Sequence, residues 1–162
     1  MTKITQPILS IESLFWTDPR AVLQRQYLSE EMIKRYADRE AISGHLPPGF
    51  FVDPRTVIFV ALCLMDTEPV GHIAVRRLDD EFEIKNMFVA ISARGQGVAE
   101  QLLNAAERAS LGHGAHRLIL QTGDRQPEAV KFYQKMGFRK IPLFEPYCSM
   151  SYSNCFEKPL SQ

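Results

Sequence analysis

The residues of this 162-residue chain that most clearly predict chemistry form a glycine loop at positions 94–99, with the sequence RGQGVA. It lies between a predicted strand and a predicted helix. Glycine lets a backbone approach a ligand closely. The unpaired N–H groups at a helix start, together with the helix dipole, attract negatively charged oxygens. The spacing therefore predicts an anion site, with a plain strand–helix turn as the alternative.

Two common phosphate-binding motifs do not fit this loop. A Walker loop requires a lysine followed by serine or threonine after its second glycine, and neither follows here. A dinucleotide-binding loop requires glycine or alanine three residues after Gly97, where the chain has Glu100. The anion is therefore neither a Walker-type phosphate nor a Rossmann-type dinucleotide.

A second motif follows about thirty residues later, at positions 128–138, with the sequence EAVKFYQKMGF. The Arg-x-x-Gly-x-Ala loop resembles the coenzyme A pyrophosphate loop of the GNAT acetyltransferases, and the second motif resembles their Ala-x-x-x-Tyr-x-x-x-Gly-Phe block. The segment CFEKPL at 155–160 is similar to the endings of many small bacterial members. The resemblance covers roughly residues 56–160, and the first ~50 residues fit only by their strand–helix order.

The resemblance implies an α/β (α+β) GNAT fold with a central mixed, mostly antiparallel sheet of six to seven strands flanked by helices. A splayed strand pair would form the acetyl-CoA cleft, in a single N-acetyltransferase domain over 1–162, without a metal. Gln126 stands where the family commonly has Asn for the pantetheine contact. The residues implied to bind acetyl-CoA are Phe88, Val89, Arg94, Gly95, Gln96, Gly97, Val98, Ala99, Gln126 and Tyr133.

Transfer of acetyl to an amine needs a deprotonated nucleophile, a site for the oxyanion and a proton for the leaving thiolate. The resemblance places Tyr133 as the general acid; the alternative is a core aromatic residue. Glu83 matches the position of a catalytic glutamate base; the alternative is an ordinary surface or ion-paired carboxylate. His72 is the reserve base, or else a buried sheet residue, and Glu81 is expected to be a solvated charge.

The acceptor implied by the resemblance is a primary amine of a small molecule, acetylated by direct attack in a ternary complex. An acyl-enzyme on Cys148 is disfavoured because no histidine is near it in sequence. The open alternatives are a peptide N-terminus or lysine acetyltransferase, and a non-catalytic acetyl-CoA sensor. The N-terminal helices and residues 142–153 are expected to select the acceptor, with Tyr147 and Cys148 lining its pocket. A homodimer is a further implication of the resemblance.

The elements that position these residues follow from periodicity and turn signals. A first strand is predicted at 8–15 and a helix at 19–37, started by Asp18 and broken near Ser29. Strict alternation along the strand at 81–90 would place Glu83, Lys85 and Met87 on one face. The remaining predictions are a loop at 44–49, strands at 56–64, 70–78 and 117–122, helices at 98–112 and 127–136, and a hairpin of 138–141 with 151–157.

Composition limits the partners. Nineteen Lys and Arg balance nineteen Asp and Glu, which argues against a nucleic-acid partner but leaves room for a small basic pocket. The longest apolar runs, about eight residues, are far short of the ~20 that span a bilayer, and the N-terminus does not resemble a signal peptide. Three cysteines without CxxC spacing indicate reduced thiols in a cytoplasmic protein, without a metal site or membrane partner.

Overall fold

The structure is a computed structural model that describes residues 3–39 and 46–161. Within these residues seven strands form one sheet in the order β1-β2-β3-β4-β5-β7-β6. Neighbouring strands are antiparallel except β4 and β5, which are parallel. This confirms the predicted mixed, mostly antiparallel sheet. The strands are β1 (Leu9–Ser13), β2 (Val57–Met65), β3 (Glu68–Leu78), β4 (Glu81–Val89), β5 (Arg117–Gly123), β6 (Arg139–Ile141) and β7 (Ser153–Pro159).

Three α-helices within the described residues flank the sheet: α1 (Pro19–Arg35), α2 (Val98–Gly112) and α3 (Pro127–Lys135). The side chain of Asp18 accepts a hydrogen bond from the Arg20 N–H at 2.9 Å and caps α1, as predicted. The predicted break near Ser29 was wrong, because α1 runs through it. Part of the predicted loop at 44–49 falls outside the described residues. No helix in the described ranges is long and apolar enough to cross a membrane.

The sheet is covered on both faces, which explains the continuous apolar run of β2. Ala61 and Cys63 point into the larger core cluster, which includes the α2 residues Leu102, Leu103 and Ala106. Val60 and Leu62, which alternate with them, pack in a second cluster with Ala21 of α1. Because successive strand side chains point to opposite faces, a strand buried on both faces needs apolar residues at every position.

The sheet divides between β4 and β5. These strands pair only at Phe82 with Leu118 and at Glu83 with Ile119, and beyond these positions they separate. Parallel strands end at the same edge of a sheet, so the segments that follow β4 and β5 meet at the open end. The glycine loop and α2 follow β4, and Gln126 and α3 follow β5.

A β-bulge at Asn86 changes the faces of β4. Ala74 of β3 lies opposite Lys85, but His72 lies opposite Phe88, so β4 has one extra residue in this stretch. Asn86 absorbs the extra residue with a φ of 54°, in the left-handed region that asparagine tolerates better than most residues.

The bulge overturns the predicted alternation beyond Lys85. Met87 packs against the core cluster on the α2 side of the sheet. Phe88 instead faces α1, with its ring centroid 6.4 Å from that of Tyr27. Met87 therefore does not share a face with Glu83, because one inserted residue reverses the period of two.

Candidate active site

A cleft of about 800 Å³ opens where β4 and β5 separate. Its walls come from α1, residues 50–52, the end of β4, the glycine loop, the end of β5 and α3. The predicted acetyl-CoA residues that line it are Phe88, Val89, Arg94, Gly95, Gly97, Val98, Ala99, Gln126 and Tyr133. Two predicted residues, Gln96 and Glu83, are not among its lining residues.

The glycine loop presents bare backbone to the cleft. Gly95 and Gly97 have φ values of +78° and +86°, a conformation that favours glycine. Gly97 precedes the first residue of α2, whose first N–H groups have no acceptor within the helix. The Gln96 side chain turns away and donates to the Ser92 carbonyl at 3.2 Å. These unobstructed donors fit an anionic pyrophosphate.

Arg94 holds the glycine loop in place through contacts with β4 and α1. Its Nε donates to the Val89 carbonyl at 3.0 Å, and its guanidinium pairs with Glu31 of α1 at 2.7 Å. The loop is thereby tied to both β4 and α1. The role of Arg94 in shaping a coenzyme A loop stays a prediction.

Gly71 of β3 allows α2 to lie close to the sheet, and no sequence motif indicates this role. A Cβ there would lie 2.8 Å from Val98 and 2.9 Å from Leu102, closer than side chains tolerate. Gly71 pairs with Val89 at the end of β4. A glycine here therefore fixes the start of α2 directly against the strand that precedes the glycine loop.

Tyr133 of α3 lies in the cleft wall with 4% of its surface exposed. Its ring packs edge-on against Phe132 and Phe138, with centroids 5.3 Å away in both cases. Burial raises the pKa of the phenol, so the hydroxyl keeps its proton at neutral pH. Among the described residues this hydroxyl has no hydrogen-bond partner, which leaves its proton available to a ligand. Gln126, at the start of α3, donates to the Tyr36 hydroxyl at 3.4 Å.

Glu83 is fully buried where β4 and β5 still pair. Arg76 donates to one of its carboxylate oxygens at 2.7 Å, and the Tyr147 hydroxyl donates to the other at 2.5 Å. Burial and the charge of Glu83 raise the pKa of Tyr147. Arg76 is also anchored, through a 2.8 Å hydrogen bond to the Gly49 carbonyl. Glu83 thus belongs to a buried ion pair and reaches the cleft only through a neighbour.

The structure differs from three further predictions, which concern Tyr147, Cys148 and Glu81. Tyr147 and Cys148 do not line the cleft, so their assignment to the acceptor pocket was wrong. Tyr147 is buried beside Glu83, and Cys148 is exposed. Glu81 is not a solvated charge but accepts hydrogen bonds from Arg117 at 2.5 and 3.0 Å.

His72 is fully buried and uses both ring nitrogens. Nδ1 lies 2.8 Å from the Asn86 carbonyl, and Nε2 lies 3.0 Å from the Arg25 guanidinium. Burial, aided by the charge of Arg25, lowers the pKa of His72 to about 4. The ring is therefore neutral, with Nδ1 donating and Nε2 accepting, and it does not line the cleft.

The cleft is also lined by residues for which no motif provides a signal, apart from those that the sequence assigns to acetyl-CoA. We call this part of the cleft the acceptor half and define it by Trp16, Arg25, Phe50, Lys85 and Asn86. Lys85 donates to the Phe50 carbonyl at 3.1 Å and to the Tyr147 hydroxyl at 3.0 Å, and burial lowers its pKa to about 8. Arg25 stacks 3.6 Å over the Trp16 ring and donates to the Trp16 carbonyl at 2.5 Å.

The split sheet and its glycine turn place one cleft beside the unpaired N–H groups at the start of α2. The described residues contain no group of three or more His, Cys, Asp or Glu side chains that could hold a metal ion. The profile of the Acetyltransferase (GNAT) family matches residues 8–138, most of the chain. The protein belongs to this family.

Similar proteins were found both by sequence and by structure. An IAA acetyltransferase from Azospirillum brasilense is 36% identical over 90 residues, which span 56% of this chain and 59% of that protein. A solved structure from Klebsiella pneumoniae, described as an acyl-CoA N-acyltransferase, is 26% identical, with a TM-score of 0.76 over 95% of this chain and 99% of its own. A GNAT acetyltransferase from Elizabethkingia anophelis, solved with acetyl-CoA bound, is 20% identical, with a TM-score of 0.67 over 94% and 98% of the two chains.

Proposed function

We propose that the protein is an acetyl-CoA-dependent N-acetyltransferase that acetylates a primary amine of a small molecule by direct attack in a ternary complex. It would act as the single domain predicted for residues 1–162. The observation that carries the proposal is the left-handed turn at Gly95 and Gly97, which aims unpaired N–H groups into the open end of a split sheet. Membership of the GNAT family supports the same activity.

The cleft offers acetyl-CoA two kinds of backbone contact. The N–H groups at Gly95 to Ala99 would bind the pyrophosphate, which explains how a chain of zero net charge holds a highly anionic ligand. Phe88 and Val89 pair with β3 on one side and have no β5 partner on the other. Their unpaired edge would bind the pantetheine arm as an added strand does. Gln126 lines the same region and would supply a side-chain amide.

Acetyl-CoA supplies an acetyl group activated as a thioester. In the transfer a bond forms between the acceptor nitrogen and the acetyl carbon, the carbon–sulfur bond breaks, and the sulfur takes a proton. Tyr133 would donate that proton, since its raised pKa keeps the phenol protonated and its hydroxyl has no competing partner among the described residues.

The nitrogen must lose a proton to a base, and Glu83 stays the predicted base. Its carboxylate has no direct access to the cleft, but the Tyr147 hydroxyl lies between it and the Lys85 ammonium, 2.5 Å from the former and 3.0 Å from the latter. Lys85 lines the cleft. Glu83 would therefore act through this hydrogen-bonded chain: Lys85 would give a proton to the Tyr147 hydroxyl as that hydroxyl gives its own to Glu83, and the Lys85 amine would take the proton from the acceptor nitrogen.

The acceptor half supports a small molecule over a peptide lysine. Trp16 and α1 close one side, and residues 50–52 close the other. The charges that α1 and β4 present there, Arg25 and Lys85, are positive. A peptide lysine with basic neighbours would be repelled by these groups, whereas a small amine that also carries an anionic group would be attracted.

The test is an assay of coenzyme A thiol release from acetyl-CoA with a panel of primary amines, confirmed by the mass of the acetylated product. We expect thiol release that depends on at least one small amine and exceeds hydrolysis without amine. Tight acetyl-CoA binding without amine-dependent release would favour the sensor alternative. Acetylation confined to peptides would favour the peptide alternative. The homodimer stays a prediction, which sedimentation of the purified chain tests.

A further inference from the structure

Two cations of the acceptor half have no carboxylate partner. Among the described residues, neither Arg25 nor Lys85 forms a salt bridge, although both line the cleft. The other cations of the cleft wall are neutralised: Arg35 pairs with Glu31 and Glu128, Arg94 with Glu31, and Lys135 with Glu100. The acceptor half therefore carries uncompensated positive charge, although the whole chain carries none.

Both cations retain unused hydrogen-bond donors. An ammonium has three N–H bonds, and the hydrogen bonds of Lys85 to Phe50 and Tyr147 use two of them. A guanidinium has five, and Arg25 uses two, to His72 and to the Trp16 carbonyl. Burial lowers the pKa of both Arg25 and Lys85, because partly buried cations lack full solvation. A bound anion would supply both the missing acceptor and the missing charge.

Asn86, the residue after Lys85, adds no accessible acceptor to these cations. The side-chain oxygen of Asn86 is buried and has no hydrogen-bond partner. Asn86 also lines the cleft, where the β-bulge places it. An amide oxygen accepts hydrogen bonds, so the missing partner is an N–H group. Because this oxygen is buried, a ligand in the cleft reaches the two cations but not this oxygen.

The rest of the acceptor half is apolar. The Trp16 ring is held by Arg25, and Phe50 stands edge-on to Phe51 with ring centroids 5.2 Å apart. Both aromatic walls belong to the same cleft as Lys85 and Asn86. An acceptor that filled the site would bring an apolar body to these rings.

We propose that the acceptor amine also carries a carboxylate and an apolar side chain, as an apolar amino acid does. Lys85 and Arg25 bind the carboxylate, and the rings of Trp16 and Phe50 contact the apolar side chain. This inference rests on the proposed N-acetyltransferase activity and names the substrate class of the same site.

The experiment compares matched amines with the purified full-length chain. Leucine is paired with isopentylamine and phenylalanine with phenethylamine, which lack only the carboxylate, and phenylalaninamide replaces it with a neutral group. We expect kcat/KM from thiol release to be about 10- to 100-fold higher with the carboxylate, the range for charge-assisted hydrogen bonds.

Lys85→Met removes the charge and keeps a long side chain, and Arg25→Gln provides a second variant. We expect either change to reduce the ratio of kcat/KM between the carboxylated and decarboxylated amine towards one. Both amines undergo the same chemistry, so this ratio isolates recognition from catalysis. Lys140→Met on the exposed strand β6 is the matched control and should keep the ratio. Thermal melting establishes which variants are folded.

The outcomes separate the two proposals. Decarboxylated amines that react as fast as amino acids with the unaltered chain would overturn this inference and leave the N-acetyltransferase proposal intact. A ratio unchanged in folded Lys85→Met and Arg25→Gln would overturn the assignment of the two cations. An absence of thiol release with every amine, with or without carboxylate, would overturn the proposed function itself.

Discussion

Replacing Glu83 by Gln tests the buried ion pair at the inner end of the cleft. The carboxylate is fully buried, and both of its oxygens accept hydrogen bonds, from Arg76 and from Tyr147. Gln keeps the shape but removes the charge and replaces one acceptor oxygen with an N–H₂ donor. The guanidinium of Arg76, itself 3% exposed, would remain as a buried charge without its partner.

The expected loss of stability follows from that burial. Breaking a buried ion pair by removing one partner costs about 3–5 kcal/mol, since the remaining charge is uncompensated. For a protein of this size each kcal/mol lowers the melting temperature by about 2–4 °C. Glu83→Gln should therefore lower it by about 6–20 °C.

Glu81→Gln on the same strand is the control. Glu81 pairs with Arg117, but both side chains are more than a third exposed, and such pairs contribute about 0–1 kcal/mol. Urea unfolding followed by circular dichroism measures both variants, with the midpoint reporting stability at constant slope. Equal and small losses in the two variants would refute the assigned importance of the Glu83 ion pair.

The same variant separates the two interpretations of Glu83. At a temperature where it is fully folded, loss of a general base would lower kcat by about 10²–10⁴-fold. A carboxylate that only holds the sheet together would leave kcat within a few-fold of the unaltered chain. The thiol-release assay therefore decides between catalysis and structure once unfolding is accounted for.

Three further predictions concern other parts of the site. Tyr133→Phe keeps the ring packing and removes a hydroxyl that has no hydrogen-bond partner among the described residues. The melting temperature and the acetyl-CoA affinity should therefore stay constant while kcat falls at least about 100-fold. An unchanged kcat would exclude Tyr133 as the general acid. Gly97→Ala places a side chain at a φ of +86°, a strain of about 1–2 kcal/mol that should weaken acetyl-CoA binding by about 5–30-fold in calorimetric titration. Gly112→Ala, at the other end of α2, should leave acetyl-CoA affinity unchanged. Equal acetyl-CoA affinities of Gly97→Ala and the unaltered chain would contradict the role of the turn. The pKa of His72 is lowered from 6.5 to about 4 in the fold, so the unfolded chain takes up a proton first as the pH falls. Stability should therefore drop by about 3 kcal/mol between pH 6.5 and 4, an effect that unfolding of His72→Gln should lack.

Much of the fold was predictable because its elements depend on local patterns. Apolar spacing and Gly112 defined α2 to the residue, and Asp18 with Pro19 defined the start of α1. The order of strands at the far side of the sheet was not predictable, because periodicity does not state that β7 lies between β5 and β6. The Asn86 bulge was equally hidden, since one residue with positive φ leaves no composition signal.

The lining of the cleft was predictable where backbone conformation determines it and unpredictable where distant side chains meet. Gly95 and Gly97 identify their turn by residue type alone. The partner of Glu83 could have been found, because a two-residue turn that pairs Leu78 with Glu81 also pairs Arg76 with Glu83. Nothing in the sequence brings Arg25 of α1 to His72, 47 residues away, because that contact depends on how α1 packs against the sheet.

The short pairing between β4 and β5 has a consequence for redesign. The sheet consists of two halves joined by a seam of two paired positions, Phe82 with Leu118 and Glu83 with Ile119. Glu83 lies in that seam and is bonded to Arg76 on one half and to Tyr147, from the β6–β7 connection, on the other. The cleft opens directly beyond this seam. The same side chains therefore hold the two halves together and determine how far the cleft opens. To make the protein accept a wider range of amines, substitutions at Phe50, on a loop that faces the cleft, are therefore a better choice than substitutions in the seam.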